Sequence, residues 1–522
     1  MQTVLTIFEE TPGAAMQSIA QAPREADALE LRIDRFNNCA VSGVDLGRFR
    51  ALSDKPMILT RRSGDTPCAP MDEPLIRRAI EAGFDFVDVE YAGDVDPSVL
   101  ERYRKHVILS HHDFKAVPDL GILISSMNRF ECARVKIAVT PTCFGDNVRI
   151  LEALTSGAGP PDIGMSGPNA DGSEVPVNQL TLFGMGSSGL YSRILAPMFG
   201  SQMHFVARNA EKVAAPGQLT FERSLAILGN EPVSWPEAIF AVAGDRVAAS
   251  SSPIIHNALF RQRQLSAAYS IIESHDFDEV MKHFMSSGRF APSGLSVTAP
   301  FKEAAFRFAM ERGATIGPNA RLARAVNTLA RSFEPGGTSD RPTSDGASVI
   351  ADNTDVDGFV DLLRRITPAM PDHAAVIGSG GTARSAIVAF QKVGVVSSLF
   401  GRSRERVAEV AEEFDVQPHS IAEISGFEGG VVINTVPASE DLELPSALFH
   451  ASNVLIDVSY GMESSAIGRA RAAGMTVFTG LHLLEAQAVR QSQIFLSVIE
   501  GLKNGMPSKS ALNGLPTGRM SR

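Results

Sequence analysis

Eight short β-rich runs recur through the first 210 residues, at 3–8, 28–34, 56–60, 85–90, 106–110, 134–140, 180–185 and 202–207, separated by helix-length intervals. Eight alternations of strand and helix can bury every strand in one way: as a parallel sheet closed on itself, sheathed by the helices. The pattern therefore predicts a closed (β/α)8 TIM barrel, in which chemistry gathers where the loops converge at the C-terminal strand ends. Reactive residues fall at those ends. Glu30, Arg32 and Asp34 close the second run, Arg61 and Arg62 follow the third, and Glu90 ends the fourth. Ser110-His111-His112-Asp113-Phe114 ends the fifth, Lys136 lies within the sixth, and Arg193 follows the seventh. Charges of both signs on consecutive strand ends suit a polar cavity and would be costly in a packed core.

A second pattern starts after the turn-rich stretches Ala215-Pro216-Gly217-Gln218 and Gly229-Asn230-Glu231-Pro232. Its signature is Gly378-Ser379-Gly380-Gly381-Thr382-Ala383-Arg384, between an apolar run and a helical one. Glycines let a backbone approach a pyrophosphate, and the following helix N-terminus offers free N–H groups. The next strand ends at Phe400. There an NAD enzyme carries an acid for the ribose, whereas this chain has Gly401-Arg402-Ser403-Arg404-Glu405-Arg406. These arginines favour a 2′-phosphate, hence NADP; a cationic, exposed helix start is the other reading.

The remaining numbers exclude whole classes. With 44% hydrophobic and 20% charged residues, the 522-residue chain can build buried cores, which argues against disorder and fibrous repeats. The balance of 48 basic and 59 acidic residues, a net charge of −11, argues against a nucleic-acid partner. No apolar run is long enough for a membrane span, and the start of the chain reads as neither signal nor transit peptide. Cys39, Cys68, Cys132 and Cys143 form no Cys-x-x-Cys pair, so reduced cytoplasmic thiols are expected and no metal site. The polar stretches 157–178 and 332–348 read as surface insertions.

Taken together the motifs resemble two families in sequence. Residues 1–225 resemble type I 3-dehydroquinate dehydratase through Leu29-Glu30-Leu31-Arg32-Ile33-Asp34, Asp88-Val89-Glu90, Ser110 to Phe114, Val135-Lys136-Ile137-Ala138, Ser192-Arg193 and Ala215 to Gln218. Residues 235–505 resemble shikimate dehydrogenase through Ser250-Ser251-Ser252-Pro253, Ser296 to Glu303, Ala325-Val326-Asn327-Thr328-Leu329 and Asp352-Asn353-Thr354-Asp355. The resemblance implies a fused enzyme: a barrel over 1–228, a substrate-binding α/β lobe over 235–365 and 481–505, a Rossmann NADP lobe over 366–480, and a polar tail over 506–522.

It also implies roles. Lys136 is the Schiff-base lysine, His112 the proton-transfer group with Glu90 beside it, and Arg193 the carboxylate clamp, while Glu30, Arg32, Arg62 and Gln218 bind ring hydroxyls and carboxylate. In the dehydrogenase half Lys302 and Asp355 are the catalytic pair, with Ser250, Ser252, Thr298, Asn327 and Gln487 as substrate ligands. Gly378, Ser379, Gly380, Gly381, Thr382, Ala383, Arg402, Ser403, Arg404, Thr435 and Gly480 are implied to hold the cofactor. Two departures stand out: Ala214 replaces a frequent Ser before the Pro-Gly-Gln, and Ser296 stands where many members have Asn. The implied reactions are dehydration of 3-dehydroquinate to 3-dehydroshikimate and NADPH-dependent reduction of that product to shikimate. The implied partners are these small molecules, with an oligomer possible. Quinate dehydrogenase activity is an alternative that retention of Ser250 and Ser252 disfavours, and a non-catalytic sensing module is disfavoured by the presence of Lys136, His112, Lys302 and Asp355.

Overall fold

The computed structural model describes residues 1–36, 44–62, 71–91, 96–156, 180–332, 348–366, 372–427, 430–440, 442–459 and 463–504. The stretch 157–178, most of 332–348, Cys39, Cys68 and the tail 506–522 lie outside the described residues. Contacts divide the chain into two units, Met1–Glu237 with Phe260–Glu273, and Ala238–Leu259 with Ser274–Arg522.

All eight expected barrel strands form: β1 (Gln2–Ile7), β2 (Ala28–Arg32), β3 (Met57–Thr60), β4 (Phe86–Glu90), β5 (Val107–Asp113), β6 (Arg134–Val139), β7 (Leu180–Gly184) and β8 (Met203–Ala207). They pair in parallel in the order β7-β6-β5-β4-β3-β2-β1-β8. The expected closure is nearly complete. Between β7 and β8 the described residues show no ladder, and the seam is held instead by the Gln202 N–H donating to Leu180 O (3.1 Å) and the Met203 N–H donating to Thr181 Oγ1 (3.2 Å). The intervening helices begin at side-chain caps: Asp72 accepts from the Leu75 N–H, Asp119 from Ile122 and Thr220 from Arg223.

Two strand ends differ from the sequence pattern in ways that matter for chemistry. β5 runs on to Asp113 because His111, His112 and Asp113 stay in register with Ile137, Ala138 and Val139 of β6. His112 therefore sits on a strand, not a loop. β2 stops at Arg32, and a 3-10 turn over Ile33–Arg35 folds Asp34 back onto the Arg32 guanidinium, with both bonds at 2.9 Å.

The chain then builds a six-stranded mixed sheet from β9 (Ala238–Gly244), β10 (Ala267–Glu273), β11 (Gly294–Val297), β12 (Thr315–Ile316), β13 (Thr328–Ser332) and β14 (Ser348–Asp352), ordered β10-β9-β11-β13-β14-β12. A third sheet is wholly parallel: β15 (His373–Ile377), β16 (Val396–Gly401), β17 (Gln417–Ser420), β18 (Val431–Asn434), β19 (Val454–Asp457) and β20 (Thr476–Thr479). Its order, β17-β16-β15-β18-β19-β20, is the Rossmann arrangement, with the topological switch between β15 and β18. Val376, Leu399, Ile433 and Ile456 are buried against Phe359, Ile387 and Phe390. The long helix Gly480–Asn504 returns to pack on the helix Thr354–Ile366, and sets the Phe495 ring, tilted, against Phe240 of the mixed sheet with ring centres 4.5 Å apart. Among the described residues no helix is long and apolar enough to cross a membrane.

Candidate active sites

Side chains two apart on a strand share a face, and in the barrel that rule gathers the polar residues. Ser110 of β5 is in register with Glu90 on one side and Lys136 on the other, and Lys136 with Thr181 beyond. Lys136 is 4% exposed. Its Nζ lies 3.2 Å from Asp88 Oδ2, 3.6 Å from Glu30 Oε1 and 3.8 Å from the centre of the Phe205 ring. Glu30 in turn accepts from Thr6 Oγ1 and Thr60 Oγ1, each at 2.9 Å. Gln218 donates to Thr6 Oγ1 (3.2 Å) and accepts from the Ala214 N–H (2.8 Å). The position of the departure from Ser thus contributes its backbone to holding Gln218.

Glu90 grips His112 twice, accepting from its backbone N–H at 3.0 Å and lying 2.9 Å from Nδ1. A carboxylate there requires the proton on Nδ1 and leaves the Nε2 lone pair available. Burial and the nearby Arg62 push the His112 imidazole down to about 4, against the pull of Glu90, so it is neutral at physiological pH. Burial opposes ionisation of Asp88, yet Arg62 and Lys136 outweigh it and hold the carboxyl well below the usual carboxylate range. Glu30 is lowered in the same way, with Lys136 and Arg32 overcoming its burial.

Arg62 joins the cluster differently from the sequence expectation. Its guanidinium donates to Asp88 Oδ2 (2.9 Å), to Ser110 Oγ (2.9 Å) and to Glu90, bracing three site residues. Arg32 pairs with Asp34 and lies over the Phe8 ring. Arg193 makes its contacts elsewhere, donating from Nε to Gly184 O (3.0 Å) with its guanidinium over Phe183. Among the described residues its buried Nη2 has no hydrogen-bond partner, and burial pushes the group down to about 9, still cationic at neutral pH. An anion reaching Nη2 would satisfy it. Asp88 and Ser110 were not among the expected site residues. The signal was present, since they precede Glu90 and His112 by two and so share their faces.

In the second unit Lys302 Nζ donates to Asp355 Oδ2 (2.6 Å) and Thr382 Oγ1 (2.8 Å). Asn327 Nδ2 lies within hydrogen-bonding reach of Asp355 Oδ1 (2.9 Å), Thr354 Oγ1 (3.0 Å) and Gln487 Oε1 (2.8 Å). Five of the expected residues thus converge: Lys302, Asp355, Asn327, Gln487 and Thr382. Ser250 and Ser252 are buried and bonded to each other, Oγ to Oγ at 3.2 Å, where the helix Ser252–Gln262 begins. Thr298 follows β11, its N–H donating to Ala243 O. Ser296, the other departure, donates to Gln491 Oε1 at 2.7 Å, and Gln491 donates on to Thr328 Oγ1 at 2.9 Å.

The glycine-rich turn lies at the switch point. Gly378 has φ +109°, and a Cβ on it would lie 2.3 Å from Thr435 Oγ1, so both the conformation and the close approach require glycine. Gly380 faces open space and caps the helix Gly381–Val393 without any side-chain hydrogen bond. Ser379 lies in the turn, while Ala383 is buried and can offer only its backbone. Free N–H groups, a helix N-terminus and room for a ligand backbone fit a dinucleotide pyrophosphate. Thr435 donates to Ile377 O (2.7 Å), and the Gly480 N–H donates to Ser459 O (3.1 Å). Ser403 caps the helix Arg404–Phe414 through the Arg406 N–H, and Arg402 is ion-paired with Glu440. Tyr460, in a stretch from Asp457 to Gly461 that only partly meets the Asp-x-x-Tyr-x-Pro pattern implied by the resemblance, lies outside the described residues.

A barrel with a lysine-centred acid–base cluster, followed by a Rossmann lobe and a Lys–Asp pair at its glycine-rich turn, defines a lyase joined to a nicotinamide-type oxidoreductase. Residues 4–167 and 170–230 match the family model of type I 3-dehydroquinase, and residues 242–329 that of the shikimate dehydrogenase substrate binding domain. The chain is 26% identical over 453 residues to a bifunctional 3-dehydroquinate dehydratase/shikimate dehydrogenase, chloroplastic, of Arabidopsis thaliana, covering 81% of this chain and 69% of that one. Among solved structures, the dehydroquinate dehydratase and shikimate dehydrogenase from S. pombe AroM is 23% identical, with a TM-score of 0.38, covering 96% of this chain and 98% of that one. The shikimate dehydrogenase of Aquifex aeolicus is 26% identical with a TM-score of 0.42, covering 51% and 97%. The two domain matches in one chain and the bifunctional relative support a fusion of a type I 3-dehydroquinase domain with a shikimate dehydrogenase domain.

Proposed function

We propose that the barrel dehydrates 3-dehydroquinate to 3-dehydroshikimate and that the C-terminal half reduces this product to shikimate with NADPH, in the cytoplasm. The observation that carries the first step is Lys136, set between Asp88 and Glu30 in a barrel that also holds a neutral, Glu90-anchored His112. Lys136 Nζ adds to the substrate ketone and water leaves, giving an iminium that draws electrons from the adjacent C–H. His112 Nε2 takes that proton; the enamine then expels the neighbouring hydroxyl, which leaves as water on receiving the proton from His112. Water hydrolyses the conjugated iminium, returning the amine and releasing product. Asp88 and Glu30 offset the positive charge carried by the iminium, as they offset the ammonium. The unpartnered Nη2 of Arg193 supports its role as the clamp for the substrate carboxylate.

For the second step, a nicotinamide held at the glycine-rich turn would supply hydride for the carbonyl carbon. Lys302 holds the proton that the developing alkoxide needs, and Asp355 and Asn327 fix its position. The turn from Gly378 to Ala383, with Thr435 and Gly480, would hold the cofactor, while Arg402, Ser403, Arg404 and Arg406 would meet a 2′-phosphate. Ser250 and Ser252 are assigned to the substrate carboxylate.

A single assay tests the whole reading: 3-dehydroquinate and NADPH are added to the protein and absorbance of the reduced cofactor is followed. Oxidation of NADPH with formation of shikimate is expected. Faster turnover of quinate than of shikimate with NADP in the reverse direction would overturn the assignment of the second half.

A further inference from the structure

Two consecutive side chains tie the helix Lys302–Glu311 to the Rossmann lobe. Lys302 donates to Thr382 of the glycine-rich turn, and Glu303 Oε2 accepts from Arg406 Nη2 while lying 3.8 Å from Arg384 Nε. Arg406 lies in the first turn of the helix after β16, where dinucleotide enzymes recognise the adenosine ribose and its substituents. The acid at that position in this chain comes from outside the Rossmann lobe. The pair forms part of the wall of a cavity of about 580 Å³, also lined by Arg307, Arg324, Glu409, Glu412 and Glu413, and Arg406 Nη1 pairs with Glu409 of its own helix at 2.9 Å. The Glu303 and Arg406 side chains are 24% and 37% exposed, so the contact is open to exchange with a ligand.

We propose that Glu303 is a specificity-determining, positioning residue: its carboxylate holds Arg406 until the 2′-phosphate of a cofactor replaces it, which frees the start of the helix carrying Lys302. The proposal rests on the NADP reading above. A phosphate brings nearly two negative charges and three acceptor oxygens to one guanidinium, against a single charge on the carboxylate it displaces. A nucleotide without the 2′-phosphate offers nothing to exchange, so Arg406 keeps Glu303 and the helix keeps its second tether. The cost of breaking the pair thus falls only on ligands that carry the phosphate.

The test is calorimetric titration of the full-length protein with adenosine 2′,5′-bisphosphate and with AMP. In Glu303→Gln the bisphosphate should bind about two- to fivefold more tightly, the scale of one partly exposed ion pair, while AMP binding stays unchanged and reports an intact nucleotide lobe. Glu303→Asp, too short to keep the contact, should shift in the same direction. Equal changes for the two nucleotides, or no change for the bisphosphate, overturn the role of Glu303. Arg406→Gln separates that failure from failure of the cofactor reading. If it weakens the bisphosphate selectively, NADP recognition stands without Glu303; if Arg406→Gln and Arg402→Gln both leave the bisphosphate-to-AMP ratio unchanged, the NADP reading itself falls and the proposal with it.

Discussion

Asp88 and Lys136 form an ion pair at 3.2 Å inside the barrel, although 48 residues separate them in the chain. The same Asp88 oxygen accepts from Arg62, and its other oxygen accepts from Ser110 at 2.6 Å. Asp88→Asn keeps the shape but leaves the buried Lys136 and the partly buried Arg62 with one carboxylate fewer. A loss of about 3–5 kcal/mol of stability is expected, read from the denaturant midpoint, together with reduced dehydratase turnover. Borohydride should still trap substrate on Lys136 in this variant, because the nucleophile remains.

Lys136→Ala removes the nucleophile itself. Borohydride reduction in the presence of 3-dehydroquinate should give the wild-type protein a covalent mass increase that maps to Lys136, and give the variant none. Dehydratase turnover should fall by roughly three orders of magnitude or more. Turnover close to wild type in the variant would rule out the Schiff-base route.

His112 makes stability depend on pH in a defined direction. Its imidazole titrates at about 4 in the folded chain, lowered by burial and Arg62, against an ordinary value of 6.5. Above pH 6.5 both folded and unfolded states hold it neutral and its contribution is fully present. Between 6.5 and 4 the unfolded chain takes up a proton that the folded one resists, so up to about 3 kcal/mol is lost as pH falls. Buried His204 and His256, pushed down to about 3 and about 4, act in the same direction. Unfolding midpoints at pH 5 and 7.5 should therefore converge partly, not wholly, in His112→Asn.

Gly381 touches the catalytic lysine through space. A Cβ there would lie 2.6 Å from Lys302 Cβ and 3.2 Å from its Cδ. Gly381→Ala must therefore displace Lys302 from Asp355 and Thr382, and a shift of this kind is expected to cost about 10²-fold in reductase turnover. Dehydratase turnover measured on the same preparation should not change, since the residue belongs to the second unit.

Much of this was legible in the sequence because it is locally encoded. Strand runs such as 28–34 and 134–140, the alternation that puts Glu30 and Lys136 on chosen faces, and the glycine turn at 378–381 all follow from periodicities of two and 3.6 and from glycine's freedom at positive φ. The polarity of consecutive strand ends announced a cavity before any strand was paired.

What remained hidden depends on partners distant in the chain. Arg62 and Arg406 were expected to bind ligands; tertiary structure engages the first with Asp88, Glu90 and Ser110 and the second with Glu303. Likewise, only folding revealed that Asp88 touches Lys136, or that β7 and β8 meet through isolated bonds. The sequence by itself determined which elements form and which face each side chain takes, because those follow from neighbours within a few residues. Only the tertiary structure decided which charge pairs with which, because strand register and chain crossover bring together groups that no local spacing relates.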